Sequence, residues 1–200
     1  MGPDTALFLD INGFARATPW LRPVVSAYAA YGIVLFAVLM LAGWWIARQR
    51  ANPAVMAAAL WTPVGMLIAL GLNQPIAAAV GEPRPYTALS GLLVLASRST
   101  DPAFPSDHAV MAGAVAAGLL LVSRRLAVVA WIAAVVIAFA RVYIAAHYPQ
   151  DVLAGLVLGA AVSLLGFWLV RRPLIWLLDR AERTPLRPLL TTSTEPAAQR

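Results

Sequence analysis

No charged side chain occurs between Arg22 and Arg48, and none between Arg50 and Glu82. A helix crosses the hydrocarbon core of a bilayer with roughly 20 consecutive apolar residues. Both stretches exceed that length, so each predicts a membrane-spanning helix. The rest of the chain agrees: 61% of the residues are hydrophobic and only 12% are charged. A soluble domain carries about a quarter charged residues.

The spans follow from the gaps between charges. The first is expected at 24–47 and the second within 53–80. The second carries Asn73 and Gln74 at its far end, which suits an interface or a polar cavity. Residues 106–123 are short but apolar after His108. Residues 126–146 are apolar except for Arg141, and residues 152–170 are apolar apart from Ser163. The expected fold is therefore all-α, a polytopic membrane helix bundle of about five transmembrane helices. Residues 86–97 are apolar but too short to span, and read as a short or re-entrant helix. Residues 5–17 carry Leu7, Phe8, Ile11 and Phe14 at helical spacing, and read as an N-terminal interfacial helix. Asp4 and Asp10 stand where a cleavable signal peptide would be basic. A single domain is expected over 1–183, with a flexible cytoplasmic tail at 184–200. The chain has no cysteine, which excludes disulfides and thiolate metal sites.

Loop charges give an orientation. Residues 48–52, 124–125 and the chain from Arg171 onward hold ten Arg against Asp179, Glu182 and Glu195. Residues 1–23, 82–107 and 141–151 hold five Arg against six acids. The positive-inside rule assigns the first set to the cytoplasm. The basic excess of the chain is then a membrane signature, not a sign of nucleic-acid binding. Arg84, Arg98, Asp101, Asp107, His108, Arg141, His147 and Asp151 all fall on the outer side. Charges at helix ends near lipid usually have a partner or a task.

Three segments carry that chemistry. In the run from Arg141 to Asp151, Pro149 suits a first helical turn, with Asp151 inside it and His147 just before it. An Asp four positions on can reach back to one ring nitrogen and leave the other as nucleophile or base. Alone, such a pair is more often structural. In Phe104-Pro105-Ser106-Asp107-His108, Ser106 or Asp107 can cap a helix whose N-terminus attracts phosphate, and His108 stands where it can protonate a leaving oxygen. In Glu82-Pro83-Arg84-Pro85, two prolines restrain Arg84, whose planar fork suits phosphate oxygens. Together they form a phosphoryl-transfer set that needs no metal and no cofactor, since the outer acids are few and mixed with Arg.

The order Arg-Pro, Pro-Ser-x-His, then Arg-x5-His-x3-Asp resembles the type 2 phosphatidic acid phosphatase superfamily, over residues 75–159. Pro-Ser-Asp-His is similar to the bacterial undecaprenyl pyrophosphatases of the bacitracin-resistance type. The resemblance implies that His147 is the nucleophile, Asp151 its orienter and His108 the general acid. It implies that Arg84, Ser106 and Arg141 bind phosphate. The implied substrate is a lipid phosphate, a polyprenyl pyrophosphate before phosphatidylglycerophosphate, phosphatidic acid or a prenyl-linked sugar phosphate, cleaved at the outer face of the cell membrane. The family's first motif begins with Lys where this chain has Ala77, and Arg98 is the expected substitute. Glu82 would weaken anion binding unless paired with an arginine. A non-enzymatic lipid transporter is the competing class, disfavoured because few polar residues lie in mid-span.

Overall fold

The computed structural model describes residues 2–192. It is all-helical, with four helices long and apolar enough to cross a membrane. The chain runs α1 (Pro3–Ala17), a 3₁₀ turn (Pro19–Leu21), α2 (Arg22–Tyr31), α3 (Ile33–Arg50) and α4 (Pro53–Val80). It continues with α5 (Pro85–Ala88), α6 (Asp107–Leu120), α7 (Arg124–Tyr143), α8 (Pro149–Ala181) and α9 (Arg187–Leu190). The four long apolar helices are α3, α4 continued into α5, α7 and α8.

Local chemistry sets these boundaries. The Asn52 carboxamide accepts from the backbone N–H of Ala54 at 2.9 Å and of Val55 at 3.3 Å, with Pro53 at the first helical position of α4. Gly81 stops α4 with a left-handed φ of 61°. Pro149 opens α8, as its position predicts, but α8 runs for 33 residues, through Arg171 and Arg172, well past the expected end at 170.

The centre of the bundle is α6. It has only 14 residues, about 21 Å at 1.5 Å per residue, and it is buried almost all round. Helices α4, α7 and α8 pack against it. Two glycines bring α6 and α8 to backbone contact: a Cβ at Gly113 or Gly159 would collide with the carbonyl of Leu156 or Val110. This seam fixes the start of α8 against the start of α6. The peptide N–H of Ser106 donates to the Asp151 carbonyl at 3.1 Å.

Three expectations are corrected. The first span is two helices that meet at Gly32, a poor helix former and a common place for a kink. Residues 86–97 are not a re-entrant helix; only the turn Pro85–Ala88 is helical. The following backbone finds partners elsewhere. Leu95 and Ala96 donate to the Ile144 carbonyl at 3.1 and 3.0 Å, and buried Asn12 clasps both backbone groups of Leu93 at 2.7 and 3.0 Å. The helix α1 buries Phe8, Asn12 and Ala15 against the protein. It leaves Leu7 and Phe14 about half exposed, so it braces the bundle while part of its apolar face stays uncovered. Lastly, residues 184–192 do not hang free. The indole of Trp44 donates to Leu189 O at 3.1 Å, Arg48 Nε to Pro188 O at 2.5 Å, and Thr192 N to Arg48 O at 3.2 Å. The remainder of the expected tail, 193–200, lies outside the described residues.

Candidate active site

The starts of α6 and α8 and the ends of α4 and α7 converge on a cavity of about 470 Å³. Its walls include Gln74, Ala77 and Ala78 from α4, and Arg84 from the following loop. Ser97, Ser99, Asp101, Pro102 and Pro105 come from the irregular segment, and Asp107, His108, Arg141 and His147 complete it. Residues far apart in sequence thus meet in one place.

His147 is 2% exposed. The chain reaches it through Ala145, whose φ of 63° is left-handed and turns the backbone sharply at the end of α7. Its Nδ1 lies 2.8 Å from the Ala103 carbonyl. A carbonyl only accepts, so Nδ1 carries the proton and Nε2 of the neutral ring is bare. The bare Nε2 faces Arg84 Nη1 at 3.3 Å and Arg141 Nη2 at 3.5 Å. Burial, then the charges of Arg141 and Arg84, push the His147 pKa down to about 3. The ring is neutral at physiological pH.

Asp151 stands one step behind. Its Oδ2 is 3.6 Å from His147 Nδ1 and only 2.7 Å from the Tyr148 N–H, which it accepts. The expected reach from Asp151 to the ring is therefore an electrostatic contact. The direct hydrogen bond to Nδ1 belongs to Ala103, a residue with no side-chain signal in the sequence.

Arg84 is held from two sides. Its Nε donates to the Asp101 carbonyl at 2.9 Å and its Nη1 to Ala146 O at 3.2 Å. Ser106 is fully buried at the N-cap of α6, yet its hydroxyl caps nothing, and it and Arg141 Nε have no hydrogen-bond partner. Unpartnered buried polar atoms are uncommon and ask for a reason. Asp107 is clasped by α4: Asn73 Nδ2 donates to its Oδ1 at 2.7 Å and Gln74 Nε2 at 3.1 Å.

Two other sequence readings change. Arg98 is exposed, with its guanidinium 5.7 Å from the centre of the Tyr86 ring, and it is not among the cavity-lining residues. Among the described residues Glu82 pairs with no arginine. Its Oε1 accepts from Gln150 Nε2 at 2.9 Å, and burial followed by the charge of Asp151 raises its pKa. Among the described residues no group of His, Asp and Glu is arranged to hold a metal.

A buried neutral histidine thus sits between two guanidiniums, in a cavity at one end of an all-helical membrane bundle. The sequence profile of the PAP2 superfamily matches residues 58–174, more than half of the 200-residue chain, and the protein belongs to that superfamily. It is a multi-pass membrane phosphatase of the lipid-phosphatase type. It is 29% identical over 161 residues to undecaprenyl-diphosphatase BcrC of Bacillus subtilis, covering 80% of this chain and 81% of that one. The fold is similar to that of Aquifex aeolicus LpxE, with a TM-score of 0.54 and 24% identity over 84% of this chain and 96% of the other. It is likewise similar to a PAP2-type phosphatidylglycerolphosphate phosphatase of Bacillus subtilis, with a TM-score of 0.57 and 20% identity over 88% and 87% of the two chains.

Proposed function

We propose that this phosphatase removes the terminal phosphate of a polyprenyl diphosphate at the outer face of the cell membrane through a phosphohistidine intermediate. The observation that carries the reading is the bare Nε2 of His147 between Arg84 and Arg141. In the first step Nε2 attacks the terminal phosphorus. The bond from phosphorus to the bridging oxygen breaks, and His108 gives its proton to that oxygen. The ring gains positive charge as the N–P bond forms. The Ala103 carbonyl on Nδ1–H and the carboxylate of Asp151 behind it stabilise that charge. In the second step His108 takes a proton from water, the water oxygen attacks phosphorus, and His147 leaves as neutral imidazole. Arg84, Arg141 and the Ser106 hydroxyl hold the three phosphoryl oxygens, which gives the unpartnered atoms of the site a task.

Support for the substrate comes from the Pro-Ser-Asp-His motif and from the relative named undecaprenyl-diphosphatase. Support for the outer face comes from the loop charges, five Arg against six acids on the cavity side. A second reading, hydrolysis of another lipid phosphate such as phosphatidylglycerophosphate or phosphatidic acid, is favoured by the shared fold of the two solved structures. The test is phosphate release by purified protein from undecaprenyl diphosphate, phosphatidylglycerophosphate and phosphatidic acid side by side. The proposal expects the diphosphate to give the highest kcat/KM. A preference for phosphatidic acid would overturn the substrate assignment.

A further inference from the structure

The cavity wall contributed by α4 is chemically unlike the others. The remaining walls bring two arginines, two histidines, the carboxyl groups of Asp101 and Asp107 and two serines, whereas α4 brings Gln74, Ala77 and Ala78. Of these three only Gln74 can form a side-chain hydrogen bond with a ligand. Its neighbour Asn73 is fully buried, and Asn73 Nδ2 ties the Pro105 carbonyl at 3.0 Å and Asp107 Oδ1 at 2.7 Å to α4. The same Asp107 oxygen takes one proton of the Gln74 amide at 3.1 Å. The other proton reaches the Leu70 carbonyl only at 3.4 Å, at the long limit of a hydrogen bond. Gln74 is thus oriented by one firm bond and holds a second that an anionic oxygen can displace. Its side chain is exposed to the cavity.

We propose that Gln74 is a substrate-contacting specificity residue that binds the second, lipid-linked phosphate of a diphosphate substrate, with Asp107 and Asn73 as its positioning residues. The terminal phosphate is taken by His147, Arg84 and Arg141, so a diphosphate needs a further donor for the group that leaves. Asp107 belongs to the same end of α6 as His108, the proton donor assigned to the bridging oxygen. A donor on Gln74 therefore meets the leaving phosphate close to where its charge develops. A lipid carrying a single phosphate ester has no group at that place. The inference rests on the phosphatase mechanism proposed above and adds the chemistry of the α4 wall to it.

The experiment measures kcat and KM for wild type, Gln74→Ala and Gln74→Ala combined with Ala77→Lys, on a polyprenyl diphosphate and on a polyprenyl monophosphate in the same detergent. Gln74→Ala is expected to lower kcat/KM for the diphosphate about tenfold, the size of one hydrogen bond to a charged group, and to change the monophosphate less than about twofold. Ala77→Lys, one turn along the same wall, is expected to recover most of the diphosphate activity. An equal loss on both lipids would overturn the proposal and leave Gln74 a purely structural group. No loss on either lipid would overturn it as well, while the mechanism would stand if His147→Ala remained inactive. Activity that persists in His147→Ala would remove the mechanism and this inference together.

Discussion

Two arginine-bearing cavities lie at opposite ends of α6 and α7. The first, about 470 Å³, holds Arg84 and Arg141 with His147 and His108. The second, about 570 Å³, is lined by Arg50, Arg124 and Arg125 around residues 120–123. Charge alone does not separate them. What differs is burial and anchorage. Arg84 and Arg141 are partly buried and bracket a bare ring nitrogen. Arg50, Arg124 and Arg125 are exposed, and Arg50 donates to the Val122 carbonyl at 2.6 Å. Among the described residues no histidine and no carboxylate lines the second cavity. Its arginines match the positive-inside pattern and need no other explanation. A phosphate site requires cations fixed on a reactive atom in a place where water is scarce.

Substitutions can break that contrast. Arg84→Ala or Arg141→Ala is expected to lower kcat/KM by about a hundredfold or more, since each removes a donor to the developing charge. Arg124→Ala with Arg125→Ala is expected to change it less than about threefold. Phosphate release from one lipid substrate checks both, and comparable losses at the two ends would end the distinction.

Packing gives the next largest effect. Gly159→Ala places a methyl on the Val110 carbonyl and pries α8 from α6. The expected cost is about 1–3 kcal/mol, read as a lower Tm in detergent, with activity falling because His147 and Ser106 lose their common frame. An unchanged Tm would show that the seam is slack.

The proton balance sharpens the contrast further. The folded-state pKa of His147 is depressed to about 3, below the unfolded value of about 6.5. Between those values the unfolded chain binds a proton that the folded one does not. Stability is therefore lost as pH falls from about 6.5 toward 3, and is indifferent to this group above that window. The Tm of His147→Gln is expected to fall less than that of wild type from pH 7 to pH 4. Parallel curves would mean that the ring titrates normally in the fold.

The smallest effect is expected at Arg98. Its guanidinium rests over Tyr86, outside the cavity lining, so Arg98→Ala is expected to alter turnover less than about threefold. A tenfold loss in affinity would restore it as a phosphate ligand.

Much of this was legible in the sequence. Gaps between charges marked α4, α7 and α8, because a buried span tolerates few charges whatever its tertiary contacts. Pro149 marked a helix start through its fixed backbone preference. The three motifs named Arg84, His108, Arg141 and His147, which line the cavity, whereas Ser106 and Asp151 are buried and not among its lining residues. What was illegible has a common cause. Ala103 holds His147 with a carbonyl, and every residue has one. The seam of Gly113 and Gly159 depends on how two helices cross. Residues 86–97 are apolar and read as a short helix, but Asn12 and Ile144 offer the backbone of Leu93, Leu95 and Ala96 better partners from distant parts of the chain. Asn73 and Gln74 stood out as polar residues in a span, yet only the fold shows that they grip Asp107.

The central claim is that Nε2 of His147 becomes covalently phosphorylated. The direct measurement is rapid acid-free quenching of the wild-type protein with a lipid phosphate substrate, followed by mass spectrometry of the peptide that spans His147. The account predicts an acid-labile phosphoryl group on His147, absent in His147→Ala together with the loss of phosphate release. Phosphate release that continues in His147→Ala, or a phosphoryl group on another residue, would contradict it.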